Sequence, residues 1–265
     1  MTPPNIVFIL TDDQGPWALG CAGNPEIRTP NLDRLAAEGM RFENFFCTSP
    51  VCSPARASIL TGTIPSAHGV HDWLRDRGDW WAPGGDPSTR PAAMLAGRSC
   101  YTDVLAAGGY TCALSGKWHL GDTLDPQHGF SYWFCHPCGG GRYNDMEMIR
   151  EGEIVRTAGY VTEVITDEAV AFLQRRKAAA AAGDAAPFFL YVPYTAPHSP
   201  YQGPGDRRPA LLSAEEWNQG DRAGYVTLVE HMDKGIGRIL AALEAGGFRD
   251  DTLVVFASDN GGNPK

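Results

Sequence analysis

The run Asn5-Ile6-Val7-Phe8-Ile9-Leu10, followed directly by Thr11-Asp12-Asp13-Gln14-Gly15, decides the fold class. A nearly continuous apolar run of this length is typical of a buried strand at the centre of a sheet. Polar residues follow it at once, and in open α/β sheets ligands bind beyond the carboxyl ends of the strands. The stretch therefore predicts a central strand that carries two carboxylates, those of Asp12 and Asp13, to a ligand-binding edge.

The same order of strand, polar loop and helix recurs along the chain. Further strands are expected over 40–46, 110–114, 187–193 and 251–257, and longer helices over 99–107, 161–182 and 222–244. This alternation predicts an α/β fold with a mostly parallel central sheet flanked by helices on both faces. Polar side chains follow three of the expected strands: Lys117 and His119, then His198, then Asp259 and Asn260.

Oxygen-donating side chains at two of these strand ends point to a cation site. Asp12 and Asp13 repel each other unless a cation holds them, although a solvated turn would account for the pair equally well. With Asp259 and Asn260 they offer hard oxygen ligands, which suit Ca²⁺ or Mg²⁺ rather than zinc.

The segment Cys52-Ser53-Pro54-Ala55-Arg56 has the character of a helix start. Proline is favoured in the first helical turn, and Gly62 is suited to end the helix. Cys52 then lies at the positive end of the helix dipole, with Arg56 one turn later on the same face. An isolated cysteine in this position would more often be a buried or capping residue.

The order Cys-x-Pro-x-Arg resembles the signature of type I sulfatases. Similar segments follow in the family's order, among them Gly116-Lys117-Trp118-His119-Leu120-Gly121, and the resemblance covers essentially the whole chain. It implies an alkaline-phosphatase-like fold, with residues 1–265 as the N-terminal catalytic domain of a sulfuric ester hydrolase. The substrate would be a sulfated small molecule or carbohydrate, or an aryl sulfate.

The resemblance also implies a covalent modification and a metal. A separate formylglycine-generating enzyme would oxidise Cys52 to formylglycine, whose hydrate binds the metal and attacks sulfur. The expected metal is Ca²⁺, with Mg²⁺ as the other possibility, held by Asp12, Asp13, Asp259, Asn260 and the modified Cys52.

The remaining roles are implied in the same way. Lys117 and Arg56 would hold the nucleophile and the sulfuryl oxygens, which stabilises charge in the transition state. His198 would donate a proton to the departing alcohol. His119 would take the proton of the second hydroxyl, so that sulfate leaves and the aldehyde is restored.

Net charge and cysteine content restrict the possible binding partners and the cellular compartment. A formal net charge of −9 argues against nucleic acid as a partner, and no apolar run is long enough to span a membrane. Seven cysteines without an export signal predict free thiols in a reducing compartment. We therefore expect a cytoplasmic protein.

The end of the sequence departs from the family pattern. Similar proteins continue beyond Asn260 with another active-site lysine and a smaller C-terminal subdomain, and Lys265 lies too close to Asn260 for that role. We expect a fragment that lacks the subdomain, with an uncovered apolar patch and a tendency to associate.

Other motifs carry weaker signals. His68 and His71 are more easily explained as residues that brace the pocket than as metal ligands. The Cys135-His136-Pro137-Cys138 segment is interpreted as a glycine-rich pocket loop with incidental thiols, not half of a zinc site. Five tryptophans make a carbohydrate substrate attractive, although tryptophans are more often core residues: Trp73, Trp80, Trp81, Trp118 and Trp133.

Two other functions remain open at the level of sequence. Phosphonate or phosphate ester hydrolysis is the nearer one, because related enzymes share the fold, the metal ligands and the position of the nucleophile. A truncated, non-catalytic binding module is the other. Relative turnover of an aryl sulfate and an aryl phosphonate distinguishes the first from sulfate ester hydrolysis. Metal binding without turnover would support the second.

Overall fold

A single mixed sheet forms the centre of the molecule. The computed structural model describes residues 3–74, 80–82, 84–206 and 221–262. Within these ranges seven strands form one sheet, in the order β5-β4-β3-β2-β6-β1-β7. The strands are β1 Asn5–Thr11, β2 Thr111–Lys117, β3 Phe130–His136, β4 Glu147–Arg150, β5 Glu153–Arg156, β6 Phe188–Pro193 and β7 Thr252–Ser258.

The sheet is mostly parallel, as the sequence predicted. β1 pairs in parallel with β6 and β7, and β2 pairs in parallel with β6 and β3. Within the described sheet only β4 runs in the opposite direction, and it pairs antiparallel with β3 and with β5, with which it forms a short hairpin. The sequence analysis predicted β1, β2, β6 and β7 but missed β3 and this hairpin. Strands of four residues are too short to show a reliable alternation.

Helices cover both faces of the sheet. They are α1 Pro30–Glu38, α2 Cys52–Thr61, α3 Pro65–His68, α4 Tyr101–Ala107, α5 Val161–Ala181 and α6 Arg222–Gly246. Successive side chains of a strand point to opposite faces. Val7 and Ile9 of β1 therefore share a core with Ile165 of α5, while Leu10 lies in the core beneath α2 with Leu60. Among the described helices, none has the length and apolar character to cross a membrane.

The strand expected over 40–46 is absent, so that prediction was wrong. The segment is irregular, and four of its apolar side chains point outward: Met40, Phe42, Phe45 and Phe46 are 80%, 69%, 74% and 83% exposed. No described strand pairs with it. The segment gives the chain an exposed apolar surface of the kind that the sequence analysis expected.

All seven cysteines are free thiols: Cys21, Cys47, Cys52, Cys100, Cys112, Cys135 and Cys138. This agrees with the expectation from their odd number.

Candidate active site

Charged side chains converge at the carboxyl edge of the sheet. Asp12 follows β1, Lys117 ends β2 and Asp259 follows β7. Backbone hydrogen bonds fix these ends, because Asp259 N–H donates to Thr11 O at 3.0 Å and Asp12 N–H donates to Ala196 O at 3.1 Å. All three side chains are buried, so that their charges interact in a medium of low polarity.

Two cations pair with two carboxylates at this edge. Lys117 Nζ lies 2.5 Å from Asp12 Oδ2. Arg56, which α2 brings to the site, donates from Nη2 to Asp259 Oδ2 at 2.9 Å and from Nη1 to Lys117 O at 3.1 Å. Arg56 Nη2 is also 3.5 Å from Asp12 Oδ1. Such a network is stable in a buried position only if each charge has an oppositely charged partner, because an unpaired buried charge is strongly destabilising.

The carboxylates differ in their affinity for protons. Burial alone would raise the pKa of Asp12, but Lys117, then His198 and Arg56, outweigh it and hold that pKa well below its usual range. Burial, followed by the charge of Asp12, raises the pKa of Asp259 to about 8. The same two causes raise the pKa of Asp13. With all three carboxylates ionised, the cluster would carry more negative charge than Arg56 and Lys117 balance.

This arrangement fits a divalent cation. Carboxylate oxygens of Asp12, Asp13 and Asp259 lie within 4.8 Å of one another. Asp12 Oδ1 is buried without a hydrogen-bond partner among the described residues. The Asn260 side chain contacts Asp13 by a hydrogen bond. Oxygen ligands alone favour Ca²⁺ or Mg²⁺. The structure thus brings together four of the five residues that the sequence assigned to a metal, and the fifth is Cys52.

Asp13 reaches the cluster through an unusual backbone conformation. Its φ of 61° lies in the left-handed region, which few residues other than glycine adopt. Its N–H donates to Asp259 Oδ1 at 3.3 Å, which ties the loop after β1 to the end of β7. The turn therefore holds Asp13 beside Asp259.

Helix α2 begins at Cys52, as predicted. Val51 precedes it in an extended conformation without a side-chain cap, and Gly62 ends the helix with φ 66°. Cys52 is only 7% exposed. Burial raises the pKa of its thiol, although Lys117 opposes the effect. Since the thiolate is the reactive form of cysteine, the unmodified side chain is a poor nucleophile at neutral pH.

His68 supports α2 from its far side. Its Nε2 is 2.9 Å from Ser58 Oγ, and its Nδ1 accepts the Val70 N–H at 3.1 Å. His71 is exposed. In the described part of the chain, no cluster of metal-ligating side chains contains either histidine. His68 braces the helix, which agrees with the structural interpretation of this motif.

His119 is buried, and the backbone there is in the left-handed region and not extended. Its φ of 56° turns the chain sharply after Lys117. His119 Nε2 lies 3.0 Å from Leu74 O, and burial, followed by the charge of Lys117, lowers its pKa well below the usual range. The ring is therefore neutral. Because a carbonyl only accepts hydrogen bonds, Nε2 carries the proton and Nδ1 is the acceptor.

His198 lies on the loop beyond β6, on the accessible side of the carboxylates. Its Nε2 is 3.7 Å from Asp13 Oδ2, and its Nδ1 is 2.5 Å from Ser199 O. Tyr143 holds this loop, because its hydroxyl donates to Thr195 O at 2.9 Å or His198 O at 2.7 Å. The sequence analysis missed Tyr143, whose contact to this loop depends on the tertiary fold.

His136 is a buried residue at the end of β3 that was not among the predicted site residues. It pairs in register with Lys117, and burial lowers its pKa to about 4, so that its ring is neutral. Its position at the carboxyl end of a strand would have identified it, had β3 been predicted.

The cysteines beside His136 have local partners. The thiol of Cys135 lies 3.3 Å from Thr123 O, and that of Cys138 lies 2.9 Å from Gly140 O. Gly139 packs so closely on His119 that a Cβ there would lie 2.1 Å from its Nε2. The residues after β3 thus form a glycine-rich loop against His119, as interpreted, whereas Cys135 and His136 belong to β3 and not to that loop.

Most of the tryptophans are core residues and do not support a sugar platform. Trp118 and Trp133 are buried with ring centroids 5.2 Å apart, and Trp80 is buried in the same core. Trp81 is partly buried against that core. Trp73 differs, because it is 49% exposed and precedes Leu74, whose carbonyl contacts His119.

Comparisons with known proteins agree with one another. The family profile described as Sulfatase matches residues 4–264. The chain is similar to mouse N-acetylgalactosamine-6-sulfatase, at 35% identity over 98% of this chain and 50% of that protein. It is also similar to an ulvan-active sulfatase of Formosa agariphila, at 31% identity over 98% of this chain and 51% of that protein.

A solved structure shows the same fold. The crystal structure of Ps i-CgsB superimposes with a TM-score of 0.81 and 30% identity, over 99% of this chain and 59% of that one. The chain spans about half the length of the curated relatives it matches.

Proposed function

Because the chain belongs to the type I sulfatase family of the alkaline phosphatase superfamily, we propose that it hydrolyses sulfate monoesters at the site around Cys52. Its α/β architecture, with an alkaline-phosphatase-like sheet between two layers of helices, is the fold predicted from the sequence. One observation carries the proposal: Cys52 begins α2 beside the buried network of Arg56, Lys117 and the carboxylates.

Asp12, Asp13, Asp259 and Asn260 would hold the divalent cation, Ca²⁺ or Mg²⁺. The cation supplies positive charge that offsets the negative charge of a sulfuryl group. The shared location of these oxygen donors and the orphaned Asp12 Oδ1 support this role. Arg56 and Lys117 balance Asp12 and Asp259 and keep the carboxylates in place.

Cys52 is the residue that a formylglycine-generating enzyme would convert. The aldehyde hydrate would supply the attacking hydroxyl that the buried thiol cannot. The Cys-x-Pro-x-Arg order supports conversion, and the burial of Cys52 with the raised pKa of its thiol makes the unmodified side chain a poor nucleophile at neutral pH. The N-terminus of α2 adds free backbone N–H groups that favour an anion at this position.

Arg56 and Lys117 are the cations available to a bound sulfate. Both lie near enough to Cys52 to influence the pKa of its thiol, and both retain their charge. Burial alone would lower the pKa of Lys117, but the charge of Asp12 outweighs the effect of burial and raises that pKa. For Arg56, Asp259 and Asp12 outweigh burial in the same way. Fixed positive charges in a dry site stabilise the transition state without reorganisation.

The two histidines are suited to opposite proton transfers. His119 is neutral with its acceptor lone pair on Nδ1, which suits it to remove a proton. His198 is partly accessible and lies next to Asp13, where it can donate from Nε2 to the departing alcohol. The base, His119, is buried, and the acid, His198, is accessible. This arrangement is the one expected if the alcohol leaves toward solvent.

For the substrate class we propose a carbohydrate sulfate. The names of two relatives support it, N-acetylgalactosamine-6-sulfatase and ulvan-active sulfatase, each of which describes that relative only. Near the site, half-exposed Trp73 is an aromatic side chain that could contact a sugar ring.

Mass spectrometry and turnover together test the function. The chain is co-expressed with a formylglycine-generating enzyme, and the mass of the peptide that contains Cys52 is measured. An aryl sulfate and an aryl phosphonate are then compared as substrates. The proposal expects the aldehyde mass and faster turnover of the sulfate. Cys52→Ala should abolish turnover, whereas Cys47→Ala, a change of an exposed cysteine, should retain it. Faster phosphonate turnover would favour the related hydrolase, and metal binding without turnover after conversion would favour a binding module.

A further inference from the structure

A second cluster of metal-ligating side chains lies away from the carboxylates. Cys100 precedes α4, Asp103 lies in its first turn, and His128 comes two residues before β3. The cluster is near the amino-terminal ends of β2 and β3, since Cys112 of β2 lies 3.9 Å from Thr102 O. The proposed catalytic reaction uses none of these side chains.

The three ligand groups already lie at a spacing close to that of a bound metal. One ligand atom of each residue, Cys100, Asp103 and His128, lies within 4.8 Å of the others. His128 Nδ1 is 3.1 Å from Asp103 Oδ2. A tetrahedral zinc site has ligand atoms roughly 3.3–3.8 Å apart, so that small side-chain rotations would complete it.

The surroundings hold the ligands in position. Asp103 Oδ2 accepts the Cys100 N–H at 2.8 Å, which fixes the two residues relative to each other. The ring of His128 stacks on buried Trp118, with centroids 6.3 Å apart. Gly129 presses against α4 so closely that a Cβ would lie 2.8 Å from Thr102 O, and this contact keeps His128 beside Asp103.

We propose that Cys100, Asp103 and His128 bind a zinc ion, with water as the fourth ligand. Thiolate and imidazole select zinc-like metals, whereas the carboxylate cluster at Asp12 selects Ca²⁺ or Mg²⁺. The Asp103 side chain is 38% exposed, which gives the ion and its water access from solvent. Binding displaces the proton of the Cys100 thiol to solvent. The ion ties the segment before β3 to α4.

Cobalt(II) is the probe, because a cobalt–thiolate bond gives a charge-transfer absorption that oxygen ligands do not. The 265-residue chain is titrated with Co²⁺ in excess Ca²⁺, which fills the carboxylate cluster, and Zn²⁺ is then added as competitor. We expect one thiolate-bound Co²⁺ that Zn²⁺ displaces. Cys100→Ala and His128→Gln should each weaken binding by on the order of 100-fold. The control Cys47→Ser should bind as the parent chain does.

The outcomes separate this site from other thiols and from the catalytic centre. Retention of the absorption in Cys100→Ala, or its loss in Cys47→Ser, would overturn the proposal, as would its absence from the parent chain. Circular dichroism checks that each variant is folded, and His128→Gln provides the test if Cys100→Ala is not. The experiment does not depend on sulfatase activity, so a failure here leaves the proposed function untouched.

Discussion

Lys117 Nζ lies 2.5 Å from Asp12 Oδ2, and both side chains are completely buried. The pair joins the end of β2 to the end of β1 across β6, which lies between them in the sheet. Because buried charges are stable only with their partners, this contact couples the stability of the fold to the geometry of the site.

Lys117→Met should therefore cost both activity and stability. The change leaves the Asp12 carboxylate buried with one cation fewer, and the free energy of unfolding should fall by about 3–5 kcal/mol. Urea denaturation measures it. Arg41→Met is the control, because Arg41 pairs with Glu43 on the surface, where loss of an ion pair has little effect on stability. Equal effects of the two changes would contradict the prediction.

A divalent cation should stabilise the chain more strongly as the pH rises. Burial and the charge of Asp12 raise the pKa of Asp259 to about 8 in the folded chain. Between the ordinary pKa of an aspartate and about pH 8, Asp259 is therefore protonated in the folded chain and ionised in the unfolded chain. Without the cation, stability contributed by that proton is lost as the pH rises toward about 8. The cation must displace the proton, and its affinity grows over the same range.

Thermal unfolding with Ca²⁺ or EDTA at several pH values measures this effect. At a Ca²⁺ concentration about 100 times its Kd, the stabilisation should approach about 2.7 kcal/mol. Asp259→Asn should remove most of the response, whereas Asp125→Asn, which changes an exposed acid that pairs with Arg90, should leave it intact. A Ca²⁺ response that is independent of pH would contradict the assignment.

The site was predictable wherever a residue's position follows from the strand before it. Asp12, Lys117, His198 and Asp259 each follow a continuous apolar run, and in a parallel sheet the ends of such runs meet at one edge. Local sequence was therefore sufficient to group these side chains. The same holds for Cys52, since proline and glycine mark the ends of α2.

Features set by distant contacts were not predictable in this way. The sequence over 40–46 was interpreted as a strand, but a strand forms only where another strand pairs with it, and no described strand does so here. The left-handed turn at His119 and its contact with Gly139 depend on how β2 and the loop after β3 meet in space. His136 was missed for the same reason, because β3 was not predicted.

Gly139→Ala should reduce turnover without unfolding the chain. A Cβ at Gly139 would lie 2.1 Å from His119 Nε2, so the imidazole must move, and a shift near 1 Å in a catalytic group costs about 100-fold in rate. Gly141→Ala is the matched control, since its Cβ would meet no described atom nearer than 3.4 Å, the Met146 Cε. The measurement is kcat for an aryl sulfate, with circular dichroism as the check on folding. Similar rates for the two variants would show that His119 is not held by this loop.

The exposed apolar segment should drive association of the chain. Phe42, Phe45 and Phe46 are 69%, 74% and 83% exposed, and the rings of Phe42 and Phe45 lie 6.5 Å apart, so they form one patch rather than scattered contacts. Burial of apolar area between two copies gains about 25 cal/mol per Å². Sedimentation velocity over a range of concentrations should show association that Phe42→Ser with Phe45→Ser reduces. Val104→Ser is the control, because Val104 is equally exposed, at 69%, but lies on α4. A parent chain that stays monomeric at every concentration would contradict the prediction, and so would equal effects of the two changes, because the patch would then not be the contact.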